Sequence, residues 1–395
     1  MKAGSRIAGS AVRLVPVLFL TLAAAGACAG DTAAPTSDGT LWTKEEVTFP
    51  FGQDELHGVL TLPTAVEGPH PAIALVSGSV DPSAGPRAGV STQYLIDHAR
   101  AMARSGYAVL RYDPPGVGRS TGESGFESLD VRAEEAIAAV RYLQTRDEIR
   151  ADGVGLWGES QGAWVIEIAA AAYPGDVAFI VAVSGSGVSV AEQQVYSIEA
   201  QSTAAGFGEE DVAKAVLFGR LLVDWQLVDP VYRQVNEVAS TALGDGPWTS
   251  FVTLVYKSED LTPAEGLEQG IEILSSVQDE PWVQFLYLRE LYLPQLQSIP
   301  PDQVTAVREA AGQTLLSDPK DYLTMVGCPV LAFFGEDDLL QPSATSADLY
   351  ETYLAEAGNE DVTIAIIPGV GHSITLSNPT YHDGLSEWLD RHYTD

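Results

Sequence analysis

The chain has few basic residues and almost no cysteine. Against 54 Asp and Glu stand 21 Lys and Arg, a formal net charge of −33, whereas a phosphate backbone is gripped by a basic footprint. Nucleic acid is therefore excluded as a partner. Two cysteines in 395 residues cannot form the disulfide framework that replaces a core in small secreted domains. Heptads, collagen-like triplets, low-complexity tracts and repeats of 20–50 residues are missing. So are a metal constellation with ligand spacing, a G-x-G-x-x-G fingerprint and a Walker lysine, and the expectation is an active protein without cofactor or metal. What is present is ample apolar material, 46% of the residues. That suffices for a sizeable core in two or three domains, or in one large α/β domain with an insertion.

The N-terminus reads as an address. Lys2, Arg6 and Arg13 precede an apolar run from Leu14 to Ala27, broken by Pro16 and Thr21. A charged start and a short apolar stretch make a signal peptide, since a membrane span needs about 20 residues. The run closes on Leu22-Ala-Ala-Ala-Gly-Ala-Cys28, which resembles a bacterial lipobox with Cys28 as the lipidated residue. Ala25 stands where leucine is usual, so ordinary cleavage beside Ala27 or Ala29 stays open. Residues 1–27 are expected to be the leader and 28–44, rich in Thr, Ser, Pro, Gly and Asp, a tether. The only membrane contact expected is a lipid anchor on Cys28, in an extracytoplasmic location. Cys328 opens an apolar strand, where a buried free thiol is expected rather than a disulfide to Cys28.

From Glu46 to Leu62 the pattern alternates around Gly52-Gln53-Asp54, a hairpin signal. Short, continuously apolar runs follow at Ala72–Val76, Tyr107–Tyr112, Val154–Trp157 and Phe179–Val183, the signature of strands buried on both faces. Helical patterns near Tyr94–Arg104, Glu127–Thr145 and Ser160–Tyr173 separate them. The alternation stops near Ser189 and resumes at Pro329–Phe334, a helix near Ala344–Glu356, Val362–Ile367 and a last helix at Tyr381–His392. The expected fold is α/β: a mostly parallel central sheet flanked by helices, in two parts (45–189 and 326–395), with a mainly helical cap inserted at 190–325. Ligands of such sheets bind beyond the carboxyl ends of the strands, where a cap would cover them.

The chemistry collects at those ends. Gly158-Glu-Ser160-Gln-Gly162 is G-x-S-x-G standing between a buried strand and a helix. There a sharp turn lifts the serine above the sheet, and the N–H of Gln161 can face a developing oxyanion. A serine hydroxyl needs a base. Of six histidines only His372, in Pro368-Gly-Val-Gly-His372-Ser, follows the last strand. His57 and His70 sit in the hairpin and at the wrong end of a strand; His98, His382 and His392 are expected to be solvated on helices. The acid is expected in Gly335-Glu-Asp-Asp338. Asp338 is chosen there, with Asp337 and Glu336 as competitors that spacing cannot separate. A second oxyanion donor is expected after the strand ending at Val76, from Ser79 or alternatively Val80. Cap aromatics such as Trp225, Phe251 and Trp282 read mainly as packing. The cap acids Glu209, Glu210, Asp211, Asp224 and Glu237 read as a solvated face.

Taken together, Ser77-Gly-Ser, Arg111-Tyr-Asp-Pro-Pro-Gly-Val-Gly-Arg-Ser120, Gly158-Glu-Ser-Gln-Gly162, Gly335-Glu-Asp-Asp338 and Gly371-His372 resemble the α/β-hydrolase-fold serine hydrolases over about residues 45–190 and 325–395. Within them the chain is similar to a bacterial esterase or serine-peptidase-like branch. It departs where the family often has His-Gly (here Ser77-Gly78) and Arg-Gly (here Pro115-Gly116). The resemblance implies a triad of Ser160, Asp338 and His372 and a small-molecule acyl substrate. Carboxylic esters are expected first and peptides second, and a silent binding module on the same scaffold is the reading from a different class.

Overall fold

The structure, a computed structural model, describes residues 41–79, 89–123, 128–258 and 260–393. The leader, Cys28 and Val80 lie outside the described residues. Strands β1 (Trp42–Phe51) and β2 (Asp54–Pro63) form the hairpin, paired antiparallel from Trp42↔Pro63 to Phe51↔Asp54. Because β1 begins at Trp42, the last residues of the expected tether, 42–44, belong to the sheet instead. The order continues with β3 (His70–Val76), α1 (Gln93–Arg104), β4 (Ala108–Tyr112), α2 (Leu129–Gln144), β5 (Ile149–Glu159), α3 (Gln161–Ala172) and β6 (Ile180–Val183). After the cap come β7 (Val330–Gly335), β8 (Val362–Ile367) and two helices, Ser343–Glu356 between these strands and Pro379–Tyr393 after them. The eight strands make one sheet in the order β1-β2-β4-β3-β5-β6-β7-β8. Only the hairpin strands run against their neighbours; β3 to β8 pair parallel.

The apolar runs are continuous because both faces of the sheet are covered. Ala72, Ala74 and Val76 of β3 point into one cluster with Leu156, Ala182, Ala332 and Phe334. Ile73 and Leu75 point into the other with Trp157, Val181, Val183, Leu331 and Phe333. This is the period of two that a pleated strand imposes. The first cluster is closed by α2, α3 and the helix Ser343–Glu356. The second is closed by Leu95, Ala99 and Met102 of α1 and by Tyr381, Leu385 and Trp388 of the last helix.

His98 corrects the expectation of solvated helix histidines. It is 1% exposed and lies on the same face of α1 as Leu95 and Met102. Its Nδ1 is 2.8 Å from the Tyr94 carbonyl and must donate to it, so Nε2 accepts from the Tyr381 hydroxyl at 2.9 Å. Burial pushes its pKa down to about 4, which keeps the ring neutral in the core. Cys328, half-buried just before β7, is a free thiol whose pKa burial pushes up to about 12.

Between β6 and β7 the described residues are helical: α4 (Val190–Ala204), α5 (Glu209–Gln226), α6 (Arg233–Leu243), α7 (Pro247–Lys257), α8 (Pro263–Val277), α9 (Leu293–Ser298), α10 (Val304–Leu315) and α11 (Lys320–Leu323). The helices at the chain's end are then α12 (Ser343–Glu356) and α13 (Pro379–Tyr393). Capping boxes start two cap helices, Ser189 with Glu192 on α4 and Thr262 with Glu265 on α8. The cap has its own core, in which Phe218 meets Phe251 at 5.4 Å and Trp282 at 4.9 Å between ring centroids. The aromatics are thus packing. Asp224 corrects the solvated-face expectation: it is 1% exposed and accepts the Tyr256 hydroxyl and the N–H groups of Val231 (2.9 Å) and Tyr232 (3.0 Å). Those donors close the turn after α5, which is why a buried carboxylate is tolerated there. Among the described residues no helix is long and apolar enough to cross a membrane.

Candidate active site

The turn between β5 and α3 holds Ser160 at φ 54°, ψ −122°. A side-chain-bearing residue is strained there and persists only where its surroundings impose it. They do so here: the Ser160 N–H donates to the Val183 carbonyl of the neighbouring strand at 2.8 Å. The flanking residues must lack side chains. A Cβ on Gly158 would stand 2.3 Å from the Gly162 carbonyl oxygen, and one on Gly162 would stand 2.5 Å from that of Val76. The first turn of α3 therefore packs directly onto the end of β3. Gln161, its first residue, has one of the N–H groups that a helix start leaves unpaired.

At the end of β7 the three carboxylates separate. The Nδ1 of His372 lies 2.8 Å from Oδ2 of Asp338, while Oδ1 of Asp338 accepts the N–H groups of Leu340 (2.7 Å) and Gln341 (3.0 Å). Asp338 is 2% exposed, whereas Glu336 and Asp337 are exposed. The Glu336 side chain accepts from the Gly369 N–H at 3.2 Å, within the loop leading to His372. With the carboxylate as acceptor, Nδ1 carries the proton and Nε2 keeps its lone pair. Burial of the imidazole disfavours its charged form. The hydrogen bond and charge of Asp338, joined by the charge of Glu159, outweigh that and hold its pKa above the ordinary histidine value. About 13% of the His372 side chain stays accessible.

These groups meet across adjoining strand ends. Ser184, one residue past β6 and also at positive φ (50°), donates its hydroxyl to the His372 carbonyl at 2.6 Å. Its neighbour Val183 receives the Ser160 N–H, so serine and histidine loops are tied to one dipeptide. Ser77, Gly78 and Ser79 lie alongside: a Cβ on Gly78 would stand 3.3 Å from that of Ser160. Among the described residues the site holds a formed His372–Asp338 pair beside Ser160, whose hydroxyl hydrogen-bonds to none of them. Four participants escaped the sequence. Ser184 has only its place at a strand end as a signal. Tyr196 and Gln193 of α4 donate to the backbone carbonyls of Asp338 (2.9 Å) and Leu340 (2.6 Å), so the cap braces the acid's loop. Arg132 of α2 reaches the Ser77 carbonyl at 2.6 Å.

The glycine-rich loop after β4 closes on itself. Asp113 accepts the Val90 N–H at 2.9 Å, Ser120 donates to the Asp113 carbonyl at 2.7 Å, and Gly118, at φ +57°, sits where a Cβ would strike the Asp113 carboxylate. Its polar groups shape a turn. No group of His, Cys, Asp and Glu suited to a metal ion occurs among the described residues.

Residues 87–378 match the model of a family described as serine aminopeptidase, S33. An uncharacterized 31.7 kDa protein of the traX-finO intergenic region of Escherichia coli is 29% identical over 102 residues. The alignment covers 26% of this chain and 33% of that protein, so the match spans about one third of the relative's length. Among solved structures, the α/β hydrolase GrgF of Penicillium sp. sh18 superposes with a TM-score of 0.50 at 19% identity, over 89% of this chain and all of its own. A proline iminopeptidase of Mycobacterium smegmatis superposes with a TM-score of 0.49 at 18% identity, over 88% of this chain and 98% of its own. At 19% identity the first likeness shows the fold.

Proposed function

From the chain's membership of the serine aminopeptidase S33 family of α/β hydrolases, we propose that it hydrolyses carboxylic esters through a covalent acyl-enzyme on Ser160. The observation that carries the reading is the convergence, at adjoining strand ends, of a strained Ser160 and the 2.8 Å His372–Asp338 pair. Nε2 of His372 takes the Ser160 proton as Oγ bonds the acyl carbon. The carbonyl oxygen becomes an oxyanion facing the N–H groups of Ser79 and Gln161. Collapse breaks the bond to the leaving alkoxide, which leaves with the proton from Nε2. Water then repeats the sequence and releases the acid. Asp338 holds the proton on Nδ1 and stabilises the imidazolium. None of these steps calls on a metal or cofactor.

The second reading, cleavage of peptides at a free amino terminus, draws on the activity named in the family's description. The experiment is fluorophosphonate labelling of wild type and Ser160→Ala, with p-nitrophenyl esters and aminoacyl-p-nitroanilides as paired substrates. Labelling and ester turnover that vanish in the variant are expected; faster anilide cleavage would move the assignment to a peptidase. No labelling and no turnover would leave a binding module. The proposed setting is extracytoplasmic, with a lipid on Cys28. Incorporation of radiolabelled palmitate that Cys28→Ala abolishes is the expected result, and release of unlabelled protein would mean ordinary cleavage.

A further inference from the structure

We infer that Arg132 is a positioning residue that sets the oxyanion hole from behind, an inference that rests on the serine-hydrolase reading above. Arg132 lies in the first turn of α2, where its own N–H donates to the carbonyl of the capping residue Ser128 at 3.1 Å. Its guanidinium reaches away from the helix to three oxygens. Nη2 donates to the carbonyls of Ser77 (2.6 Å) and Gly78 (3.4 Å), and Nη1 donates to the side-chain oxygen of Gln161. One cation thereby joins the two stretches that hold the proposed oxyanion donors, the loop after β3 and the first residue of α3.

The consequence follows from peptide geometry. In a trans peptide the C=O of one residue and the N–H of the next point in opposite directions. With the Ser77 and Gly78 carbonyls turned to the guanidinium, the N–H groups of Gly78 and Ser79 point away from it. Gly78 is a glycine because the loop presses on the nucleophile, a Cβ there falling 3.3 Å from that of Ser160. Glycine's conformational freedom also makes its flanking peptide planes the easiest to flip, and a flip would aim a carbonyl where a donor is needed. The planar fork of arginine resists this because it binds several acceptors in one fixed plane, which an ammonium cannot do. Nothing in the local sequence marks the role: Arg132 lies 54 residues from Gly78 and 29 from Gln161.

The test compares wild type, Arg132→Met and Arg132→Lys for ester kcat, KM, pH dependence and rate of fluorophosphonate labelling. Arg132→Met is expected to lower kcat by about 10²-fold, the scale of losing one oxyanion donor, with KM little changed. Labelling, which also builds an oxyanion, is expected to slow in parallel. The acid limb of the pH profile stays put, because His372 and Asp338 are untouched, and Arg132→Lys recovers part of kcat through the Ser77 carbonyl. Wild-type kcat in Arg132→Met, or a loss confined to KM, overturns the inference. Should that variant fail to fold, Gln161→Met, which removes one acceptor and keeps the backbone N–H, takes its place. A several-fold drop in kcat at unchanged melting temperature then supports the inference, and wild-type kcat overturns it. If wild type itself is neither labelled nor active, the underlying reading fails with it; if wild type is active and the variants match it, only the role of Arg132 fails.

Discussion

In the sheet, strands β3 to β7 send alternate side chains to two covered faces, and every proposed catalytic group stands at a strand end. In the cap, helices gather aromatic rings around a separate centre, and the residues that touch the site do so from outside, through Tyr196 and Gln193. The two regions fix side chains by different means. At the strand ends the backbone is dictated by neighbours in register, so glycine is forced at 158 and 162, and Ser160 is held between them in a strained conformation. In the cap only volume and apolarity are required, and many aromatic arrangements satisfy them.

The comparison is sharpened most by the carboxylates after β7. Asp338→Asn is expected to lower kcat by about 10⁴-fold through loss of the correct imidazole tautomer, while Asp337→Asn, at the exposed residue just before it, leaves it near wild type. Steady-state ester kinetics decide, and equal losses would dissolve the assignment. Next in size is Phe251→Ala, which removes a fully buried ring packed on Phe218 and Trp225 and is expected to cost about 3–5 kcal/mol. Hydrogen exchange should show the loss in α5, α7 and α8 with protection of β3, β5 and β7 retained. Equal loss in the strands would break the comparison, making cap and sheet one cooperative unit.

Gly162→Ala comes third. Its Cβ would meet the backbone oxygens of Val76 and Ser77 at 2.5 and 2.9 Å, and overpacking of this kind costs about 1–3 kcal/mol. A lowered melting temperature with a disproportionate fall in kcat is expected, because the loop that carries the proposed oxyanion donor is what must move. A smaller effect is set by Glu159, whose charge helps hold the His372 pKa up. A base works when unprotonated, so Glu159→Gln, by lowering that pKa, should carry the acid limb of kcat/KM to lower pH. A pH–rate profile that stays in place would mean Glu159 does not act on the imidazole. The smallest effect belongs to the cap: Gly266→Ala in α8, where a Cβ meets nothing within 4 Å, should raise stability by about 1 kcal/mol from helix propensity. Thermal melts read both glycine substitutions, and opposite signs are the expected contrast.

What was legible in the sequence follows the same division. The strand runs could be read because burial on both faces leaves them apolar throughout, and the serine turn because backbone contact leaves only glycine at 158 and 162. Choosing Asp338 over its neighbours needed the turn itself, in which Oδ1 receives two N–H groups while the Glu336 side chain is engaged by Gly369. His98 follows the period and not its polarity: its spacing from Leu95 and Met102 puts it on the buried face of α1. Arg132 could not have been read, since its partners Ser77, Gly78 and Gln161 lie far along the chain, and Asp224 escaped because the turn that gives it the N–H groups of Val231 and Tyr232 carries no motif that marks a buried carboxylate.

The cap leaves the sheet after β6 and returns at β7, and these strands are parallel neighbours with Ile180 paired to Val330. Strands so related, about 4.8 Å apart, cannot be joined by a tight turn and need a crossover of about a dozen residues or more. The whole cap is therefore an overgrown obligatory connection. Lengthening such a loop costs little, about 0.6 kcal/mol of closure entropy for each doubling. The sheet never has to be rethreaded to accept more. A cassette on such a connection can be enlarged, trimmed or exchanged without disturbing the register of the strand ends beneath it.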